Sequence, residues 1–105
     1  MAIAELTEDP AKALAKEKNA VVVFFASWCG DCRRSLRFES ALSSELAGRV
    51  SFFRMDAVEF EKIADIYGVE RYPTYVFFRR GAPESGPLVE PTSEKEVRDW
   101  INKKI

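Results

Sequence analysis

The chain has 105 residues, 47% of them hydrophobic, enough for a single domain (1–105) with a packed core and no disulfide staples. Its 16 basic and 17 acidic residues are spread along the chain and leave a net charge of -1, which gives no general attraction to nucleic acid or to an anionic membrane. With no histidine and only two cysteines, an intrachain zinc site would have to be completed by carboxylates.

The segment from Met1 to Pro10 carries Glu5, Glu8 and Asp9 and lacks the basic-then-apolar pattern of a secretory signal. No apolar run reaches membrane-spanning length, so a cytoplasmic location is expected. Ala2 to Leu6 reads as a short edge strand. Asp9-Pro10 is a helix start, with Asp9 accepting from free N–H groups and Pro10 at the first helical position. Ala11 to Lys18 is built of helix formers, and Asn19 ends the segment.

Ala20 to Phe25 is apolar without alternation, the pattern of a central strand covered on both faces. From Asp31 to Ala47, Phe38, Ala41, Leu42 and Leu46 recur at helical spacing, which puts Arg37, Glu39, Ser40 and Ser43 elsewhere on the wheel. Gly48 is the stop. Val50 to Met55 reads as a second inner strand, and Glu59 to Tyr67 as a short helix ended by Gly68. Alternation of strand and helix implies an α/β unit with parallel strands. Thr74 to Arg79 is a third apolar strand, Arg80 to Pro83 a turn region, and Leu88-Val89 a short strand bounded by Pro87 and Pro91, which together imply a hairpin. Ser93 and Glu96 fit a capping box before a last helix that buries Val97, Trp100 and Ile101.

The two cysteines, Cys29 and Cys32, stand at C-x-x-C spacing where the central strand turns into a helix. In a reducing compartment such a pair reads as redox-active or metal-binding. Arg33 follows Cys32 where covalently attached haem needs a histidine, and an iron–sulfur cluster shared between two copies stays open on the residues alone. At a helix N-terminus the first thiol is favoured as thiolate, the form that attacks a disulfide. Cys29 is then the nucleophile, and Cys32, one turn in, resolves the mixed disulfide. Gly30 is expected to permit the tight turn and let a partner backbone approach.

Phe24-Phe25-Ala26-Ser27-Trp28-Cys29-Gly30-Asp31-Cys32 resembles the active-site signature of the thioredoxin family. About 40 residues on, Tyr67-Gly68-Val69 and Tyr72-Pro73-Thr74-Tyr75-Val76-Phe77-Phe78 resemble that family's second signature. The resemblance implies a thioredoxin fold, α/β, with a central mixed β-sheet of about five strands flanked by about four helices. It implies a cis Pro73 facing the cysteines and an apolar platform of Trp28, Gly30 and Pro73. The backbone of Tyr72 would pair with an extended partner peptide; the other reading of Tyr72 is a half-buried packing residue. No cofactor is then bound, the Cys29-Cys32 disulfide being its own redox centre. Partners would be protein disulfide substrates and a thioredoxin-reductase-type donor, flavin-dependent and drawing on NADPH, with no nucleic acid and no membrane, and the chain a monomer.

Several positions depart from the family pattern. Asp31 stands where typical thioredoxins have proline, and Val23 where they bury an aspartate behind the second cysteine. Resolution must then find its base elsewhere: Asp31, directly before Cys32, either serves as proton acceptor or only caps the helix. The family's partner-binding glycine falls near Val89 or Glu90, its lysine near the site at about Phe52, and its helix-kinking proline at Arg37. The expected function is reduction of protein disulfides by a mixed-disulfide mechanism. The alternatives are a redox-sensed docking module with little turnover and a more oxidising disulfide exchanger.

Overall fold

The computed structural model describes residues 3–105, so Ala2 of the expected edge strand lies outside the described residues. An apolar run without alternation must be covered on both sides, and β2 (Ala20–Phe25) is buried at every position. It lies between β3 (Ser51–Asp56), which runs parallel, and β4 (Thr74–Arg79), which runs antiparallel. β1 (Ala4–Glu5) adds to the outer edge of β3. β5 (Ala82–Pro83) and β6 (Leu88–Val89) each pair with β4, giving a mixed sheet of six strands rather than five. The extra strand arises because the returning chain meets β4 twice, at Arg79 and at Thr74, and prolines at 83 and 87 deny it a continuous ladder.

Strand alternation sorts the core into two layers. Val22 and Phe24 of β2 pack with Met55, Val76 and Phe78 under Leu14 and Ala64, on the side of α1 (Pro10–Ala13) and α3 (Glu61–Ile66). Val21 and Val23 pack with Phe52, Tyr75 and Phe77 under Leu42, Val97 and Ile101, on the side of α2 (Gly30–Glu45) and α4 (Glu94–Asn102). The α2 side carries the cysteines.

The first helix is shorter than its composition predicts. Asp9 caps α1 through Ala11 N–H at 3.0 Å, but Leu14, buried, already leaves helical geometry at φ -108. Tertiary contacts override propensity here: Glu17 O accepts from Arg80 N–H, and Gly81, at φ 82, sits so close to the Ala11 carbonyl that a Cβ would collide with it. The last helix begins as expected, with Ser93 Oγ accepting from Glu96 N–H at 3.1 Å. The return bond from the Glu96 carboxylate goes one residue further out, to Thr92 N–H at 3.0 Å.

Candidate active site

Beyond β2 the chain turns through Ala26, Ser27 and Trp28, and Cys29 N–H closes the turn on Ala26 O at 3.1 Å. Cys29 is the N-cap of α2: it is extended (φ -86, ψ 115), and its sulfur accepts from Cys32 N–H at 3.2 Å, where Ser or Asp would usually offer oxygen. One turn in, Cys32 is buried. Burial pushes its thiol up to about 12, reinforced by Cys29 and opposed by the Ala26 backbone and the Arg54 charge. The site therefore holds one half-exposed sulfur at a helix start and one buried, protonated thiol behind it.

The second signature arrives from the start of β4. Cys29 Sγ lies 3.6 Å from Tyr72 O, and the Tyr72-Pro73 bond is cis, as the resemblance implies. Pro73 is buried; Tyr72 is half-buried, its ring edge-on to Trp28 at 5.8 Å, while Trp28 is 68% exposed. Trp28, Cys29, Tyr72 and Pro73 are thus brought together at one end of the sheet. Glu90 N–H donates to Pro73 O at 2.8 Å, and Glu90 itself takes φ 50, a left-handed conformation at the place where the family's glycine was expected. Between this loop and α2 lies a cleft of about 210 Å³ lined by Asp31, Arg34, Phe38, Glu90, Pro91 and Thr92.

Two expectations change. Gly30 is an ordinary helical residue, and a Cβ there would meet nothing closer than an Arg34 nitrogen at 4.0 Å, so the turn itself does not require glycine. The family's lysine was matched to Phe52, but the sheet register sets Arg54 beside Val23, while Phe52 packs into the apolar layer. Asp31 forms an ion pair with Arg34 on the exposed side of the helix start.

Beneath the cysteines lies a polar group that the helical wheel assigned to the wrong face. Glu39 is 0% exposed. Its carboxylate accepts from Ser35 Oγ at 2.8 Å and from Tyr75 OH at 3.0 Å, and its Oε1 lies 3.0 Å from Arg54 Nε. That last contact is out of line for a hydrogen bond, so charge alone joins the two atoms. Arg54 also reaches Cys32 O through Nη2 at 3.5 Å and lies over the Phe25 ring at 4.0 Å. Burial raises the Glu39 pKa against the opposing pull of Arg54, Ser35 and Tyr75; burial and the Glu39 charge raise that of Tyr75. The signal was present: stepping back from Leu46 and Leu42 by three or four residues reaches Glu39, Ser35 and Cys32, and Arg54 is the lone charge inside an apolar strand.

Among the described residues no group of three or more His, Cys, Asp or Glu side chains is gathered to hold a metal ion, and no helix is long and apolar enough to cross a membrane. The thioredoxin family model matches residues 3–103. The chain belongs to the thioredoxin family. It is 33% identical over 85 residues to a thioredoxin of Rickettsia typhi, covering 81% of this chain and 80% of that one. It is 36% identical over 61 residues to the chloroplastic thioredoxin M3 of rice, covering 58% of this chain but only 35% of that longer protein. The oxidised thioredoxin of Plasmodium falciparum shares its fold, with a TM-score of 0.83 at 20% identity over 98% of each chain. With its Cys29-x-x-Cys32 pair the chain is a thiol–disulfide oxidoreductase of the thioredoxin type.

Proposed function

We propose that the chain reduces disulfides of protein partners in the cytoplasm as a monomer, with Cys29 as nucleophile and Cys32 as the resolving thiol. The observation that carries the reading is the half-exposed Cys29 sulfur, held by Cys32 N–H at 3.2 Å beside Tyr72 O at 3.6 Å, with a buried second thiol one turn behind it. Thiolate at Cys29 attacks one partner sulfur; the other leaves as thiolate and takes up a proton. Cys32 then loses its proton, bonds to Cys29 Sγ, and releases the partner's remaining sulfur. Two electrons pass to the partner and the pair is left as a disulfide.

Trp28, Gly30, Tyr72 and Pro73 form the platform on which an extended partner segment lies, the backbone of Tyr72 offering strand-like pairing. Asp31 takes the proton of Cys32, directly or through water. A thioredoxin-reductase-type flavoenzyme recharges the disulfide, and no bound cofactor is needed. The test is turnover of a disulfide-linked protein such as insulin with dithiothreitol as reductant. Wild type turns over, Cys29→Ser is inactive, and Cys32→Ser accumulates a mixed disulfide through Cys29. Turnover that survives Cys29→Ser, or redox-dependent binding with negligible turnover by wild type, overturns the reading. Asp31→Asn slows release of the mixed disulfide; an unchanged rate removes Asp31 from the mechanism.

A further inference from the structure

Among the described residues Arg54 is the one cation in contact with the buried end of the site, and it faces two ways. On one side it touches the Glu39 carboxylate at 3.0 Å; on the other it reaches the carbonyl of Cys32 at 3.5 Å. Its side chain is 11% exposed and lies over Phe25, so little water reaches the guanidinium to screen its charge. The groups that face Glu39 are Ser35 from its own helix, Arg54 from β3 and Tyr75 from β4. The rest of that layer, Val21 and Val23 of β2, Leu42 of α2 and Val97 and Ile101 of α4, is apolar.

Ser35 supplies a second link. Its hydroxyl lies 2.8 Å from Glu39 Oε2 and 3.1 Å from Cys32 O, and its single proton can serve only one of them at a time. An ionised Glu39 claims that proton and the Arg54 charge together. A protonated Glu39 instead donates to Ser35, which frees the Ser35 proton for Cys32 O and leaves the Arg54 charge uncompensated.

We propose that Arg54 is a counter-ion shared between Glu39 and Cys32, so that the charge on Glu39 sets how readily the resolving thiol gives up its proton. Glu39 and Arg54 are positioning residues here; neither touches the partner. The proposal rests on Cys32 being the resolving thiol. With Glu39 neutral, Arg54 favours negative charge on Cys32; with Glu39 ionised, Arg54 is cancelled and Cys32 holds its proton more tightly. The buried carboxylate therefore restrains the resolving step as pH rises and does not act as its base.

The size of the effect follows from the spacing. Glu39 lies two helical turns beyond Cys32, and a unit charge about 10 Å away at an effective dielectric of about 20 changes an ionisation about tenfold. Lowering a thiol's pKa by one unit also weakens its nucleophilicity, so the net gain in resolution rate is about threefold.

The experiment is the reaction of the reduced protein with 5,5'-dithiobis(2-nitrobenzoate), followed by stopped flow from pH 5 to 10. The first released thiolate reports attack by Cys29 and the second reports resolution by Cys32. In wild type the logarithm of the second rate rises with pH, is displaced downward by about threefold where Glu39 ionises, and rises again. Glu39→Gln, which keeps the shape and a hydrogen-bonding amide, gives a straight profile that lies about threefold above wild type on the alkaline side. In an Arg54→Met background Glu39 loses the cation that favours its charge and keeps its proton to higher pH, so the gain from Glu39→Gln begins at a higher pH than in the protein with Arg54.

A Glu39→Gln rate equal to wild type at every pH overturns the proposal by making Glu39 merely structural, and so does one below wild type, which makes Glu39 the base. A first phase without a second, by contrast, contradicts the assignment of Cys32 as the resolving thiol, on which the proposal rests, and is told apart from an unchanged Glu39→Gln rate.

Discussion

Burial of Cys32 makes the reduced protein lose stability in alkali in a way that one substitution removes. The folded thiol titrates at about 12 against an ordinary value of 9.0. A raised folded-state pKa contributes stability that is fully present below the unfolded value and is lost as pH rises toward the folded one. Between pH 9 and 12 the unfolded chain ionises Cys32 while the folded chain does not. At pH 11 two of the three units have been traversed, and at 1.36 kcal/mol per unit the loss is about 3 kcal/mol. The assay is guanidinium unfolding of the reduced wild type and of Cys32→Ala at pH 8 and pH 11. The alanine variant subtracts tyrosine and lysine titration and any cavity cost, neither of which depends on Cys32 ionisation. The wild-type advantage at pH 8 should shrink by about 3 kcal/mol at pH 11. A difference independent of pH would mean that Cys32 is not desolvated as the fold implies.

Trp28, exposed beside Cys29 and edge-on to Tyr72, should change its fluorescence when the Cys29-Cys32 disulfide is reduced, while Trp100, at the far helix, should contribute nothing to the change. An unchanged spectrum in a Trp100→Phe background would contradict the placement of Trp28. Ser93→Ala removes the Oγ that accepts from Glu96 N–H and should cost about 1 kcal/mol in thermal or denaturant unfolding, without altering the first-phase rate of thiol reaction. A cost below a few tenths of a kcal/mol would show that the last helix does not depend on that cap.

The sequence marks most clearly the segments whose pattern has a single physical solution. Ala20 to Phe25 and Thr74 to Arg79 can be buried only as inner strands, and both are found at those bounds. The C-x-x-C pair and the Tyr72-Pro73 segment are separate in the sequence and meet in the fold, where Cys29 Sγ lies 3.6 Å from Tyr72 O. The first helix was overextended because composition speaks for propensity and is silent about the contact of Gly81 with Ala11 that turns the chain early. The split of the returning hairpin into two pairings depends on prolines whose spacing permits several registers.

The buried network was hidden for a different reason. Glu39 was assigned to the solvent face because a lone carboxylate is rarely buried, and it is buried here only because Arg54, Ser35 and Tyr75 converge on it from two strands and its own helix. Neither Glu39 nor Arg54 signals this alone; the register that sets Arg54 beside Val23 brings them together. Phe52, the expected place of the family's lysine, and Arg54 stand two positions apart on one face of β3, the first packed into the apolar layer and the second carrying the charge.

As a reductant, the Cys29-Cys32 pair must hold its two electrons loosely enough to pass them to a partner disulfide. A buried Cys32 that keeps its proton adds no thiolate stabilisation to the reduced pair, which leaves Cys29 alone to supply the feature that makes strongly oxidising pairs oxidising. The equilibrium reduction potential of the pair, measured at pH 7 in a dithiothreitol buffer, should therefore lie below about -220 mV, on the side of thioredoxins at about -270 mV. A value near -120 mV, where strong oxidants such as the periplasmic disulfide donors lie, or failure of the pair to form a disulfide at all, would contradict the pair's role as a reductant.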